Sequence, residues 1–281
     1  MPDVSLLGLG LMGSALAKSI QSAGLELGVW NRSAEKMRLF QDTGAVGFPD
    51  AASAVRASPV ILICVDTYAT TRNILADADT LSALRGRTVV QLSSARPREV
   101  QHAAEWMNGL GVAYLDGAIL AGPEIIGTER AQVLLSGEKS AYEAAAPILR
   151  SLGNIRYLGE NAKAAESLGM AWLMSRFGNQ MAAIHAASIC ISEGAELKDL
   201  ISLLGDNSSL QYYLGVIEDG NFDEFSASLE IWHESLQHIR QQGADAGINT
   251  EVPDFIESLF ERAVNAGYAK QNVMALTKIL R

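Results

Sequence analysis

Gly8-Leu9-Gly10-Leu11-Met12-Gly13 is the stretch on which the fold of this chain turns. It closes a short apolar run, Val4 to Gly8, and opens onto Ser14-Ala15-Leu16-Ala17-Lys18, which has helical character. In a GxGxxG spacing set between strand and helix, the first glycine turns the chain tightly and the second lets a pyrophosphate reach the backbone. The third lets the helix lie close on the strand. The helix N-terminus adds unpaired N–H groups for an anion. The motif is weak alone and gains force from its strand-to-helix setting, so these six residues are read as the floor of a dinucleotide site.

Outward from the motif, apolar and β-branched runs recur at Leu25 to Trp30, Val60 to Val65, Thr88 to Leu92, Val112 to Leu115, Gln132 to Ser136 and Ile155 to Leu158. Helical patterns such as Ala34 to Gln41 and Pro97 to Asn108 lie between most of them. This alternation predicts an α/β fold, a doubly wound parallel sheet of Rossmann type over residues 1–160. After Gly159 the strand-like runs vanish. A long helix is expected from about Lys163 to Ser192 within an interdomain segment 161–193, followed by an all-α domain over 194–281. Its helices are expected near Leu197 to Leu204, Ser228 to Gln242, Pro253 to Ala266 and Gln271 to Leu280. A helix of about 30 residues runs roughly 45 Å, longer than a small helical domain is wide, so it is expected to pack against a second copy of the chain in a homodimer; the family resemblance given below implies that the helices of the pair interlock.

The 281 residues carry 48% hydrophobic and 19% charged side chains, which excludes a disordered or fibrous chain. An excess of 32 acidic over 22 basic residues, with no basic run, argues against nucleic acid and anionic membrane surfaces. The acidic start, MPDVSLLGLG, lacks the charge pattern of a secretory signal, so a cytoplasmic protein is expected. Cys64 and Cys190 lie far apart in apolar stretches and give neither a disulfide framework nor a metal spacing. Polar interruptions such as Arg176 and Asn179 make Leu168 to Ile191 a buried helix rather than a membrane span.

The second strand ends Trp30-Asn31-Arg32-Ser33, where an acid would grip the ribose hydroxyls of NAD. There is none. Arg32 offers a cationic fork, with Asn31 beside it and Ser33 and Lys36 as further donors, and a 2′-phosphate suits that set, so the expected cofactor is NADPH. Ligands of open α/β sheets lie outside the carboxyl ends of the strands, which also nominates Cys64-Val65-Asp66 and Ser93. A serine there is as often a turn cap.

With these residues in view, the chain resembles the β-hydroxyacid dehydrogenase superfamily, and within it the imine reductases and reductive aminases. The resemblance rests on GLGLMG with WNRS, on Tyr114-Leu115-Asp116-Gly117-Ala118-Ile119-Leu120-Ala121-Gly122-Pro123, and on Gly267-Tyr268-Ala269-Lys270. It implies an NADPH-dependent reductase acting on the C=N bond of an imine or iminium, formed from or released as an amine. Hydroxyacid members hold a carboxylate at the positions that read Leu120, Ala121 and Gly122 here, and an apolar wall there would leave a carboxylate short of partners. They also place a lysine early in the long helix with an asparagine one turn later; Lys163 is followed by Ser167 instead. Imine reductases commonly carry Asp or Tyr on that helix, and the ungapped position is Gly169, beside Leu168 and Met170. Ile119, Leu120 and Ala121 with Gly169, Met170, Leu173 and Phe177 are the expected substrate pocket. Ser93, Tyr212 and Tyr213 are the candidate donors, the two tyrosines following a Gly205-Asp206-Asn207 turn, while Trp232, His233, His238 and His185 read equally well as packing or surface residues. A β-hydroxyacid dehydrogenase using Lys163 and a non-catalytic NADPH-binding protein are the alternatives.

Overall fold

The computed structural model describes residues 1–205, 208–225 and 227–280; Asp206 and Asn207 of the expected turn lie outside the described residues. It divides into two compact units, Met1–Gly169 and Met170–Arg281. The division falls inside one continuous helix.

In the first unit the chain runs β1 (Val4–Leu7), α1 (Leu11–Ser22), β2 (Leu27–Trp30), α2 (Ala34–Gln41), β3 (Val46–Gly47), α3 (Ala51–Ala57), β4 (Val60–Ile63), α4 (Tyr68–Leu75) and α5 (Ala78–Leu84). It continues with β5 (Thr88–Gln91), α6 (Pro97–Gly109), β6 (Ala113–Leu120), β7 (Gln132–Gly137), α7 (Lys139–Leu149), β8 (Asn154–Tyr157) and the start of α8 (Ala164–Glu193). The sheet order is β3-β2-β1-β4-β5-β6-β7-β8. Its strands are near-continuous apolar runs because helices cover both faces, as a parallel sheet requires. Leu6, Leu62, Val90 and Leu115 pack on one face with α1 and α7, while Leu7, Ile61, Val89 and Tyr114 face α3 to α6.

Two features depart from the expected sheet. β7 runs antiparallel to β6, with Asp116 opposite Ser136 and Leu120 opposite Gln132, so the sheet is mixed rather than wholly parallel. β6 also runs five residues beyond the expected Leu115.

The second unit holds the rest of α8, then α9 (Leu197–Leu203), α10 (Ser208–Asp219), α11 (Leu229–Ala246), α12 (Glu251–Asn265) and a 3-10 helix, Val273–Ile279. Phe177, Ile184, Leu214, Leu236, Phe260 and Met274 form its core. The last segment, expected as an α-helix, is the tighter form, its start fixed by the Asn272 side chain accepting from the Met274 N–H. Among the described residues no helix is long and apolar enough to cross a membrane.

Candidate active site

The glycine motif is shaped by space as well as by turn. Gly8 has φ +105°, and a Cβ there would lie 2.2 Å from the Cys64 carbonyl oxygen; one on Gly13 would lie 2.2 Å from the oxygen of Gly8. A side chain at Gly8 would push the ends of β1 and β4 apart, and one at Gly13 would push α1 off the end of β1. Gly10 differs, for nothing lies within 4 Å of the place its Cβ would take, and the first turn of α1 has no side-chain cap and no acid. Open space in front of uncapped N–H groups is what a pyrophosphate needs. Leu9 is buried and Met12 half-buried, while Leu11 stands out at the rim, 84% exposed.

Asn31 braces this turn from the end of β2: its Oδ1 accepts from the Leu9 N–H at 2.9 Å, and its Nδ2 donates to the Ser33 carbonyl at 3.2 Å. It is a positioning residue for the loop. Arg32, Ser33 and Lys36 are all exposed, and among the described residues neither cation makes an ion pair. This donor set, next to a strand end without an acid, fits a 2′-phosphate.

At the next strand ends the structure separates architecture from access. Ser93 is buried at 2% exposure, and its Oγ accepts from the Val65 N–H at 2.9 Å, tying the ends of β4 and β5 together. Cys64 is buried against Gly8 and burial pushes its thiol up to about 12, so it stays neutral. Asp66 is exposed at the rim and Val65 half-buried.

Along β6 side chains alternate between sheet faces. Ile119 packs with the α1 and α7 side, and Leu120 packs with Ala118, Leu134 and Ala165 on the other. The expected wall of Ile119, Leu120 and Ala121 is thus corrected, because the extra length of β6 sends its first two members to opposite faces. Gly169 lies over the Leu120 side: a Cβ there would stand 3.0 Å from the Ala118 Cβ and 3.7 Å from Leu120 Cδ2. Its missing side chain lets α8 sit down on the strand.

On that same face, two residues earlier, Asp116 is wholly buried and takes a short hydrogen bond from the Tyr68 hydroxyl, which also lies 3.1 Å from that of Tyr114. The other carboxylate oxygen, Oδ2, has no hydrogen-bond partner among the described residues. Burial pushes Asp116 up to about 8, partly offset by the Tyr68 bond. Glu166, in the first turn of α8, is 6% exposed, and its carboxyl is driven far above the usual range by burial and then by the charge of Asp116, although the Ala95 N–H hydrogen bond opposes this. Two carboxyls buried together favour their neutral, proton-bearing forms.

The helical unit accounts for the remaining candidates. Phe177 is enclosed in its core, edge-on to Trp232 and Phe260, rather than lining an open pocket. Tyr213 is 2% exposed and accepts from Arg176 Nη2 at 2.9 Å, whereas Tyr212 is 53% exposed. Met170 and Leu173 are half-buried. His233 lies 2.8 Å from the buried Glu257, and His185 is exposed. No group of three metal-ligating side chains occurs among the described residues.

Residues 3–194 match the sequence pattern described as the NAD binding domain of 6-phosphogluconate dehydrogenase, and residues 162–281 match the NADPH-dependent reductive aminase-like C-terminal domain. The chain belongs to this dehydrogenase family, in its reductive aminase and imine reductase branch. Within the branch it is similar to the NADPH-dependent reductive aminase of Aspergillus oryzae, 27% identical over 99% of this chain and 97% of that protein. The imine reductase from Myxococcus stipitatus, solved in complex with NADP+, is 29% identical, covers 100% of both chains and superposes with a TM-score of 0.69. The cytokine-like nuclear factor N-PAC of Xenopus tropicalis is 28% identical over 59% of this chain, which spans 32% of that longer protein.

Sequence reasoning passed over Asp116 as a member of a site, although it stands in the most specific segment, and over Glu166 altogether. A lone acid in the first turn of an alanine-rich helix reads as a partner of the helix dipole. The available signal was its position, three residues before Gly169 and hence on the same helical face.

Proposed function

We propose that the protein is an NADPH-dependent reductase that adds hydride to the carbon of a C=N bond, in an imine or iminium, to give an amine. NADPH supplies the hydride when bound. The first-turn N–H groups of α1 hold its pyrophosphate, and Arg32, Ser33 and Lys36 hold the 2′-phosphate, the charge-assisted kind of contact that discriminates against NADH. The observation that carries the choice of substrate is the face of β6. Leu120 offers no donor there, and the neighbouring Asp116 and Glu166 supply no cation to balance a carboxylate, whereas a neutral imine needs none.

Leu120 with Gly169 belongs to the pocket in this reading. The reading includes a cytoplasmic homodimer, supported by Leu168, Trp172, Ile189 and Ile191, which stand exposed along α8. Light scattering on the purified protein should return the mass of two chains.

Consumption of NADPH with a panel of cyclic imines, ketones and β-hydroxy acids tests the proposal. Imines should be turned over with NADPH preferred to NADH. Oxidation of β-hydroxy acids, silence on imines and loss of turnover in Lys163→Ala would instead identify a hydroxyacid dehydrogenase.

A further inference from the structure

The carboxyl pair sits where the chemistry of an open α/β sheet is done. Asp116 is the register partner of Gln91, the last residue of β5, and so lies level with the carboxyl end of that strand, the ligand side of such a sheet. Across β6 and β7 it stands opposite Ser136, whose Oγ accepts from the Ala165 N–H at 2.9 Å and donates to the Ala162 carbonyl at 2.7 Å. Those two bonds pin the start of α8 over Asp116. Glu166 is the next residue along, and the Ala95 N–H that it meets belongs to the loop leaving β5.

No ordinary structural reason accounts for this arrangement. A buried carboxyl is normally matched by a cation, because an unpaired charge out of water is costly. The charges of Asp116 from β6 and Glu99 from α6 act on Glu166, the Ala95 N–H donates to it, and its own charge is felt by Tyr114 of β6. Tyr68 from α4 donates to Asp116. Glu99 is itself held by Arg96 at 3.1 Å. One carboxylate oxygen of Asp116 remains both buried and unsatisfied. An unmet acceptor beside a second acid calls for a shared proton, and behind Tyr68 a cavity of about 210 Å³, lined by Arg72, Gln91, Trp106 and Tyr114 among others, offers room for the water that would renew it.

We propose that Glu166 is the proton donor to the substrate nitrogen, with Asp116 keeping it supplied with its proton. This rests on the C=N reading above and names the group that Gly169, having no side chain, cannot be. The Glu166 O–H bond breaks as the nitrogen lone pair forms an N–H bond. The iminium carbon then accepts the hydride, the C=N π pair returns to nitrogen as its lone pair, and a neutral amine remains beside a Glu166 carboxylate. Water in the cavity returns a proton through Tyr68 and Asp116.

The test pairs two substrates at a pH where the free imine is unprotonated: a neutral cyclic imine, which needs a proton, and its N-methyl iminium, which does not. In Glu166→Gln, kcat on the neutral imine should fall about 100-fold or more, the range of general acid catalysis. Reduction of the N-methyl iminium should stay within about twofold, which also shows that the variant is folded. Difference infrared spectra of the protein without cofactor should show a protonated-carboxyl band that this variant loses. Equal loss on both substrates with unchanged thermal stability, equal retention on both, or an unaltered carboxyl band overturns the assignment. Should the variant not fold, Asp116→Asn decides: removing the facing charge should move the basic limb of the neutral-imine profile down by about one pH unit, and an unmoved limb overturns the assignment. A native protein inert toward both substrates refutes the C=N reading itself, a different result from any of these.

Discussion

Two glutamates are shut away from water in this chain, one in each compact unit, and their surroundings are opposite. Glu257 on α12, 3% exposed, lies 2.8 Å from His233 Nε2 and 3.5 Å from Arg240 Nη1, and takes a hydrogen bond from Gln237. Glu166 on α8, 6% exposed, meets the charges of Asp116 and Glu99 and the N–H of Ala95. The first carboxylate joins α11 to α12 by charge. The second is held where charge is unwelcome, an environment common among groups that exchange protons and rare among those that only brace a fold.

That contrast can be broken most forcefully at Glu257. Replacing it with alanine leaves His233 and Gln237 without the carboxyl they meet, while Arg240 keeps Asp254, and should cost about 3 kcal/mol, measured by urea unfolding. Glu166→Gln should do the reverse at alkaline pH. Asp116 and Glu166 both bind protons more tightly in the folded chain than in the unfolded one, so their contribution to stability is complete below about pH 4. It is lost as the pH rises through about 8 for Asp116. Unfolding curves between these limits should show the native protein weakening while Glu166→Gln or Asp116→Asn weakens less; with each pKa unit worth about 1.4 kcal/mol, the difference should reach a few kcal/mol. A flat difference would mean that the pair does not share a proton.

Exposed charges set the lower end of the scale. Arg32→Ala should raise the Kd for NADPH about tenfold and leave that for NADH nearly unchanged, read by fluorescence titration, because one charge-assisted contact is lost at a solvated site. Lys163→Ala should alter turnover by no more than about twofold, since its half-buried side chain would be spared from acid chemistry in a reductase that draws its proton elsewhere.

How far the sequence disclosed all this depended on whether backbone or side chains made the feature. The cofactor turn was legible because glycines at 8, 10 and 13 answer to local demands, and seven of the eight strands announced themselves as apolar runs. β3 did not, since two residues are too few for a pattern. The far end of β6 was hidden by Asp116 and Gly117, which interrupt its apolar run, and α10 by the Gly205-Asp206-Asn207 stretch ahead of it and the two serines that begin it. The carboxyl pair was illegible for a deeper reason. Asp116 and Glu166 are 50 positions apart, and only the β6–β7 register and the Ser136 anchor bring them together. Ser93 shows the same limit from the other side: a strand-end serine that reads equally as a donor to a ligand or as a turn cap accepts from the Val65 N–H, a contact 28 positions away that no local pattern discloses.

The seating of α8 on Ala118 has a practical corollary for anyone redesigning the enzyme. Installing an aspartate or tyrosine at 169 would be no simple graft, because its first carbon would stand 3.0 Å from that of Ala118, and helix or strand would have to yield by a few tenths of an ångström. The exchange would have to come with Ala118→Gly, and a catalyst altered at both places would hold two acids within one turn of helix.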